Sequence, residues 1–463
     1  LLLLGCEPDG NESNAINRLN KSDPLRIEVA SGELQTTSAE TASGASIAPF
    51  AEQNPAELLA SFHNDLRSLA AGERTQPVTI LHLGDDHVAA DRLTSALRRL
   101  FQSRFGDAGR GLVMPAGVYR SHRADGVRFG LEGSWRSELA SGPTAGGFGL
   151  TGARTIATAK GAVMTIEADD GYDTAEVVFA GGPDRGRAKI AFDGQASDVP
   201  TRRADTQIVR VATQRPGKRI EIGALQNRGI AVAGVMLDRD RPGVRYVNIG
   251  FPEADVGTLA GLDQAIAGEE LRRLAPSLIV IGFGTKAGFD DSLDKADYAS
   301  TALSLVQRVR SWSPGAALVI VGPPDAVRLP DYADNAARQS GDTACRALGL
   351  DEMGGYGDGI AAADPRLARW HPPVNMADVR AIWRRIAFAE GALYWDWQGF
   401  MGGDCSIHAW AYADPPLAQP DHLLLTEEGY RRSAEALFQR LLTGLMSGPA
   451  PEAEPTTEAS ASQ

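Results

Sequence analysis

The chain has 463 residues and a formal net charge of −13, with 43% hydrophobic and 23% charged residues. That length suits two or three domains with real cores, and the balance is that of a globular chain, not a disordered one. The acidic total argues against a protein that follows nucleic-acid phosphates over a basic face. Three cysteines are too few for a disulfide scaffold, and 51 glycines with 26 prolines speak against an all-helical bundle.

The chain opens Leu1-Leu2-Leu3-Leu4-Gly5-Cys6. This run reads as the end of an apolar leader and is too short to span a bilayer, which takes about 20 apolar residues. Leu-Leu-Gly-Cys resembles a bacterial lipobox, which implies a lipid anchor on Cys6 and a place in the periplasmic cell envelope. An ordinary signal peptide or an arbitrary chain boundary is the alternative. Residues 7–54, rich in Ser, Thr, Ala and Asn, read as a flexible tether, and residues 447–463 as a disordered acidic tail.

Between these ends, Leu58, Leu59, Phe62, Leu66 and Leu69 recur at helical spacing, which predicts a helix over about 56–71. Val78 to Leu83 is a short apolar strand ended by Gly84, and Leu93, Leu97, Leu100 and Phe101 mark the next helix. Further apolar strands follow at 278–281, 317–321 and 392–396. They are separated by helical patterns at about 293–312 and 375–390, and a last amphipathic helix covers 427–446. Alternating strands and helices with short links predict a parallel sheet covered on both faces.

The middle of the chain differs. Short strands around 163–166, 175–179, 189–192, 207–211, 219–222 and 232–237 are separated by Gly/Asp/Pro turns, with no helical period between them. That pattern predicts an antiparallel sandwich inserted in the α/β unit. Its role is open between holding a glycan and acting as a spacer. The expected division is 1–6 leader remnant, 7–54 tether, 55–129 first α/β part, 130–242 insert, 243–446 second α/β part and 447–463 tail.

Val78 to Gly111, opening Val-Thr-Ile-Leu-His-Leu-Gly-Asp-Asp-His, resembles the SGNH/GDSL hydrolases, in particular their envelope carbohydrate O-acetylesterase branch. Gly284 to Asp290 (GTKAGFD), Val321 to Asp325 (VGPPD) and Asp421 to Tyr430 (DHLLLTEEGY) are similar to later blocks of that branch, in the same order. The resemblance covers about residues 55–445. It implies a flavodoxin-like three-layer α/β/α fold with a parallel sheet, carrying a carbohydrate-binding-like antiparallel β-sandwich, and no cofactor or metal.

The resemblance also implies a damaged active site. The family's nucleophilic serine is replaced by Asp86, its oxyanion-hole glycine by Glu253, its oxyanion-hole asparagine by Lys286, and its histidine base by Leu424. Only the orienting carboxylate, Asp421, is retained. A leucine cannot accept a proton, and a fixed carboxylate where an oxyanion would form opposes the transition state. An Asp86–Lys286 ion pair is expected to plug the former site, since a lone buried carboxylate is costly.

Asp85, Asp86, His87, Asp421 and His422 can alternatively converge on a divalent metal, giving a hydrolase by another route. The bland reading is that Asp85 and His87 hold the turn together. Asp85, Asp86, His87, Lys286, Asp421 and His422 are the polar candidates for holding a ligand. Trp410 and Tyr412, in a Gly/Pro-rich stretch read as a loop over Met401–Pro420, add aromatic faces for sugar stacking. Arg110, Arg120, His122 and Arg123 can line a groove or simply be solvated. In an exported protein Cys345 and Cys405 can form a disulfide, or remain two buried thiols.

The expected function is that of a catalytically degenerate envelope protein that binds a cell-wall or polysaccharide glycan, or a partner enzyme of the same family. The alternative is an O-acetylesterase or acetyltransferase using non-classical groups.

Overall fold

The computed structural model describes residues 52–119, 122–140, 146–205, 207–333 and 344–446. The calls on Cys6, Arg120, the tail and residues 7–51 of the tether fall outside these residues. The tether's last three residues do not, and Gln53 is tied to the fold, its side chain donating to the Ala392 carbonyl and accepting the Tyr394 N–H, both at 2.7 Å. Five parallel strands form the central sheet, in the order Val244–Gly250, Val78–Gly84, Leu278–Gly282, Ala317–Val321, Leu393–Trp395. Numbered along the chain this is 2-1-3-4-5, the flavodoxin-like order, whose switch point lies between the carboxyl ends of Val78–Gly84 and Leu278–Gly282.

Strand side chains alternate between two buried faces. Leu81, Leu83, Ile279, Ile281, Leu318 and Ile320 enter one core, packed by residues of the helices Gln264–Leu274, Lys295–Trp312 and Met376–Ala389. Val78, Ile80, Leu278, Val280, Val319 and Val321 enter the other, with Ala60–Ala70, Leu93–Phe105 and Glu427–Leu442. Apolar residues on both sides are what a fully covered parallel sheet requires.

The insert is two antiparallel sheets. One is built from Val127–Glu132, Val163–Tyr172, Gly217–Ala224, Arg187–Phe192 and Gln195–Pro200. The other has Thr174–Gly181 and Ala231–Asp238 at its centre. Met164, Ile166, Ile190, Ile220 and Ile222 of the first meet Val177, Phe179, Val232 and Val235 of the second in a common core. The second sheet is apolar on its other face too. Ile156, Val178, Ala180, Ala231 and Ala233 join the α/β core beside Ile249, Phe251, Leu259 and Leu271. Antiparallel pairing begins at Gly109–Val113, which pairs with Ala231–Asp238, well before residue 130.

Two local expectations are corrected. The first helix is broken into Pro55–Leu58 and Ala60–Ala70, because Leu59 leaves helical geometry at φ −106° and ψ 16°. The stretch Met401–Pro420 is not all loop. It holds a helix, Ser406–Ala411, whose preceding residue Cys405 is disulfide-bonded to Cys345 with the Cα atoms 5.7 Å apart. Among the described residues no helix is long and apolar enough to cross a membrane.

Candidate functional site

The switch point is built on the turn after Val78–Gly84. Gly84 permits the close approach there: a Cβ on it would stand 2.4 Å from Val88 Cγ2 and 2.5 Å from the Gly282 carbonyl. Asp85 then straps the two central strands together. Its N–H donates to the Gly282 carbonyl at 3.1 Å. Its carboxylate accepts from the N–H groups of His87 and Thr285, at 3.2 and 3.4 Å. Burial raises the Asp85 pKa, against a lowering influence from His87. Asp85 is 3% exposed and His87 likewise, and both hold the turn. The His87 Nδ1 is 2.9 Å from the Tyr430 hydroxyl, and its ring packs edge-on against Trp397.

Asp86, half-buried, is the first residue of the four-residue helix Asp86–Ala89. Its carboxylate Oδ2 accepts the backbone N–H of Glu253 at 2.9 Å. Glu253 sits at φ +54°, in the left-handed region that favours glycine, with its side chain in solvent. The two positions assigned to nucleophile and oxyanion donor therefore meet, and here the carboxylate occupies the donor. Leu424 shares a cavity of about 260 Å³ with Asp86, bordered also by Arg92, Arg123, Pro252 and Gln419.

Lys286 does not join them. It is exposed on the short helix Thr285–Phe289, with no carboxylate within 4.0 Å among the described residues, and the expected Asp86–Lys286 ion pair is absent. The carboxylate it acts on is Asp290, the residue that ends its helix, whose pKa hydrogen bonds from Ser292 and then the charge of Lys286 lower. Asp86 is satisfied by a main-chain donor, and its partial exposure removes the need for a lysine.

The remaining polar candidates diverge. Asp421 is exposed and folds back on its own turn, accepting the N–H groups of Leu423 and Leu424 at 2.9 and 3.0 Å. His422 is 2% exposed and points elsewhere, against Trp370 with ring centroids 3.9 Å apart and stacked on His408 at 5.0 Å. Burial, and then the neighbouring His408, push its pKa down to about 4. Of the five groups that a metal reading would bring together, Asp85 and His87 share the turn while Asp86, Asp421 and His422 lie apart from them, and among the described residues no three His, Cys, Asp or Glu side chains converge on a metal position. Trp410 is half-buried and packs edge-on against Phe400, whereas Tyr412 is exposed and borders His408 and His422. Trp395 and Trp397 are core residues.

Sequence reasoning missed Arg92. It precedes the helix Leu93–Phe105 and lines both the Asp86 cavity and a larger one of about 670 Å³ that adjoins it. Arg123 and Ala90 are likewise common to both, and His122 borders the larger, so two of the anticipated groove residues are placed there. Arg110 is instead largely buried, bound to Asp91 at 2.6 Å. Asp91 also binds Arg98 at 2.7 Å. Burial opposes ionisation of Asp91, but the two guanidiniums win and hold its pKa well below the usual range.

No family model and no curated protein matches the chain. Solved structures do. A peptidoglycan O-acetylesterase is similar over 84% of this chain and 97% of its own, at 24% identity and a TM-score of 0.65. A family two carbohydrate esterase from Cellvibrio japonicus matches over 67% of this chain and 98% of its own, at 12% identity and a TM-score of 0.25. An acetyl xylan esterase matches over 42% and 80%, at 10% identity and a TM-score of 0.27. Only the first superposes well enough to carry weight. With the 2-1-3-4-5 sheet and the antiparallel insert, it establishes that the chain has the SGNH esterase fold, an α/β unit carrying an inserted β module.

Proposed function

We propose that the protein is a catalytically degenerate member of the SGNH esterases that works in the bacterial cell envelope by holding a cell-wall or polysaccharide glycan. The observation that carries this reading is the Asp86 carboxylate seated on the Glu253 N–H, with Leu424 beside it in the same cavity. A charge fixed on an oxyanion donor, without a base, leaves no route to an acyl intermediate. An open groove of about 670 Å³ continues from that point, which suits retention better than turnover. Envelope location, with an acyl anchor on Cys6 and the tether spacing the folded unit from the membrane, belongs to the same proposal. Purified protein incubated with sacculi and with soluble polysaccharides tests it. Retention on one of them is expected, together with release of no acetate from aryl acetates. If nothing is retained and a protein of the same fold is captured instead, the molecule is an accessory to a partner enzyme.

A second reading has one observation in its favour, the likeness to a peptidoglycan O-acetylesterase over 97% of that protein. It requires an O-acetylesterase or acetyltransferase that uses unorthodox groups. Acetate release by the native protein, abolished in Asp86→Ala, would establish it.

A further inference from the structure

The larger cavity lies between the helix Leu93–Phe105, the insert strand Val127–Glu132 and the start of the helix Glu427–Leu442. Five arginines line it, in a chain whose net charge is −13. Three of them are occupied. Arg99 binds Asp125 at 2.6 Å, Arg128 binds Asp169, and Arg431 binds Glu428 and Glu435. Arg92 and Arg123 are different: neither has a carboxylate within 4.0 Å among the described residues, and these two also line the Asp86 cavity. Of the three acidic residues in the wall, Asp125 is the partner of Arg99. Asp91 is turned to the buried side by Arg98 and Arg110, leaving Glu427.

At the insert end the wall becomes aromatic. Phe129, partly exposed, stacks on His122 with ring centroids 4.7 Å apart and planes 23° apart. Burial, followed by the nearby Arg110, pushes the His122 pKa down to about 4, so that ring is uncharged at neutral pH. Two guanidiniums without a carboxylate partner among the described residues, followed by a flat apolar face, are complementary to a sugar ring that carries an acid group.

We propose that this groove binds a carboxylate-bearing glycan, with Arg92 and Arg123 holding the carboxylates and the Phe129–His122 stack supporting a sugar face. The proposal rests on the glycan-holding reading above and narrows it to an acidic polymer. Polyuronates and peptidoglycan, whose peptides carry carboxylates, share the required chemistry.

The test uses the full chain with four probes. They are polygalacturonate, the same polymer methyl-esterified, sacculi, and sacculi whose carboxylates have been amidated. Preference for an acidic form over its blocked counterpart by about tenfold or more is expected, weakening with added salt. Arg92→Gln/Arg123→Gln is expected to remove the preference, with its melting temperature unchanged. Which acidic probe is retained identifies the polymer, and retention of either supports the proposal. Equal binding of acidic and blocked forms overturns the charge assignment and leaves the glycan reading standing. Retention of no probe overturns both. Were the two arginines there only to offset Asp86, the double variant would lose stability and keep its preference, which also overturns the proposal. Phe129→Ala is the independent check, since it weakens binding without altering the acidic-over-blocked ratio.

Discussion

The proposed loss of catalytic groups gives a sharp kinetic expectation when serine and histidine are introduced at the two positions. In Asp86→Ser/Leu424→His the serine hydroxyl replaces the carboxylate that accepts the Glu253 N–H at 2.9 Å, freeing that donor for an oxyanion. The new imidazole enters the cavity that residues 86 and 424 already share. The magnitude follows from three changes. A carboxylate about 4 Å from a developing oxyanion, at an effective dielectric near 20, opposes it by about 4 kcal/mol, or about 10³ in rate. A released donor is worth on the order of 10²–10³. A positioned base adds about 10²–10⁴. These effects do not multiply freely, so a gain of at least about 10² over the native protein is the safe expectation. Acetate release from 4-nitrophenyl acetate measures it, with Asp86→Ser alone as the control that lacks a base. No gain in a double variant of native melting temperature would refute the reasoning. So would a native protein that already hydrolyses the ester and loses that activity in Asp86→Ala.

Three further predictions concern stability. Glu253→Gly relieves a side chain held at φ +54°, a relief of about 1–2 kcal/mol partly offset by the greater freedom of glycine in the unfolded chain; chemical denaturation is expected to show a gain of up to about 1 kcal/mol. Cys345→Ser/Cys405→Ser opens a loop spanning 60 residues, and a loss on the order of 4 kcal/mol in denaturant midpoint analysis is expected. His82 and His422 are buried with pKa values pushed down to about 3 and about 4, in both cases chiefly by burial. Both stay neutral in the folded protein while the unfolded chain takes up protons below about pH 6.5. Their contribution is therefore complete above that pH and lost as the pH falls toward 4, by about 1.4 kcal/mol per pH unit for each ring. Melting curves between pH 7 and 5 should fall less steeply for His422→Asn than for the native protein.

The parallel sheet was legible because Val78–Gly84, Leu278–Gly282 and Ala317–Val321 are apolar on both faces and end in glycine or Gly-Pro turns. The edge strand Val244–Gly250 was not. Arg245 and Asn248 interrupt its apolar pattern, each committed to a partner far away in sequence or across a turn. The insert was read from its regular turns, but its first paired strand, Gly109–Val113, carries two glycines at positive φ and no strand signature. At the candidate site, residue identities located Asp86, Glu253 and Leu424. They did not reveal that Lys286 would face solvent, because a position in an aligned block does not give the direction of a long side chain. Nor did they reveal Arg92, which comes to line one cavity with Arg123 only when the helix Leu93–Phe105 meets the insert.

The insert sheet that is apolar on both faces has a consequence for how the groove behaves. Its strands Thr174–Gly181 and Ala231–Asp238 belong to two cores at once, so the sandwich cannot swing on its connections without exposing oil to water on one side. The wall that carries Phe129 is accordingly cemented in place opposite Arg92. For the polymer proposed above, a mould already cast means that little is spent on closure. Heating should dismantle both lobes together, in one cooperative melt.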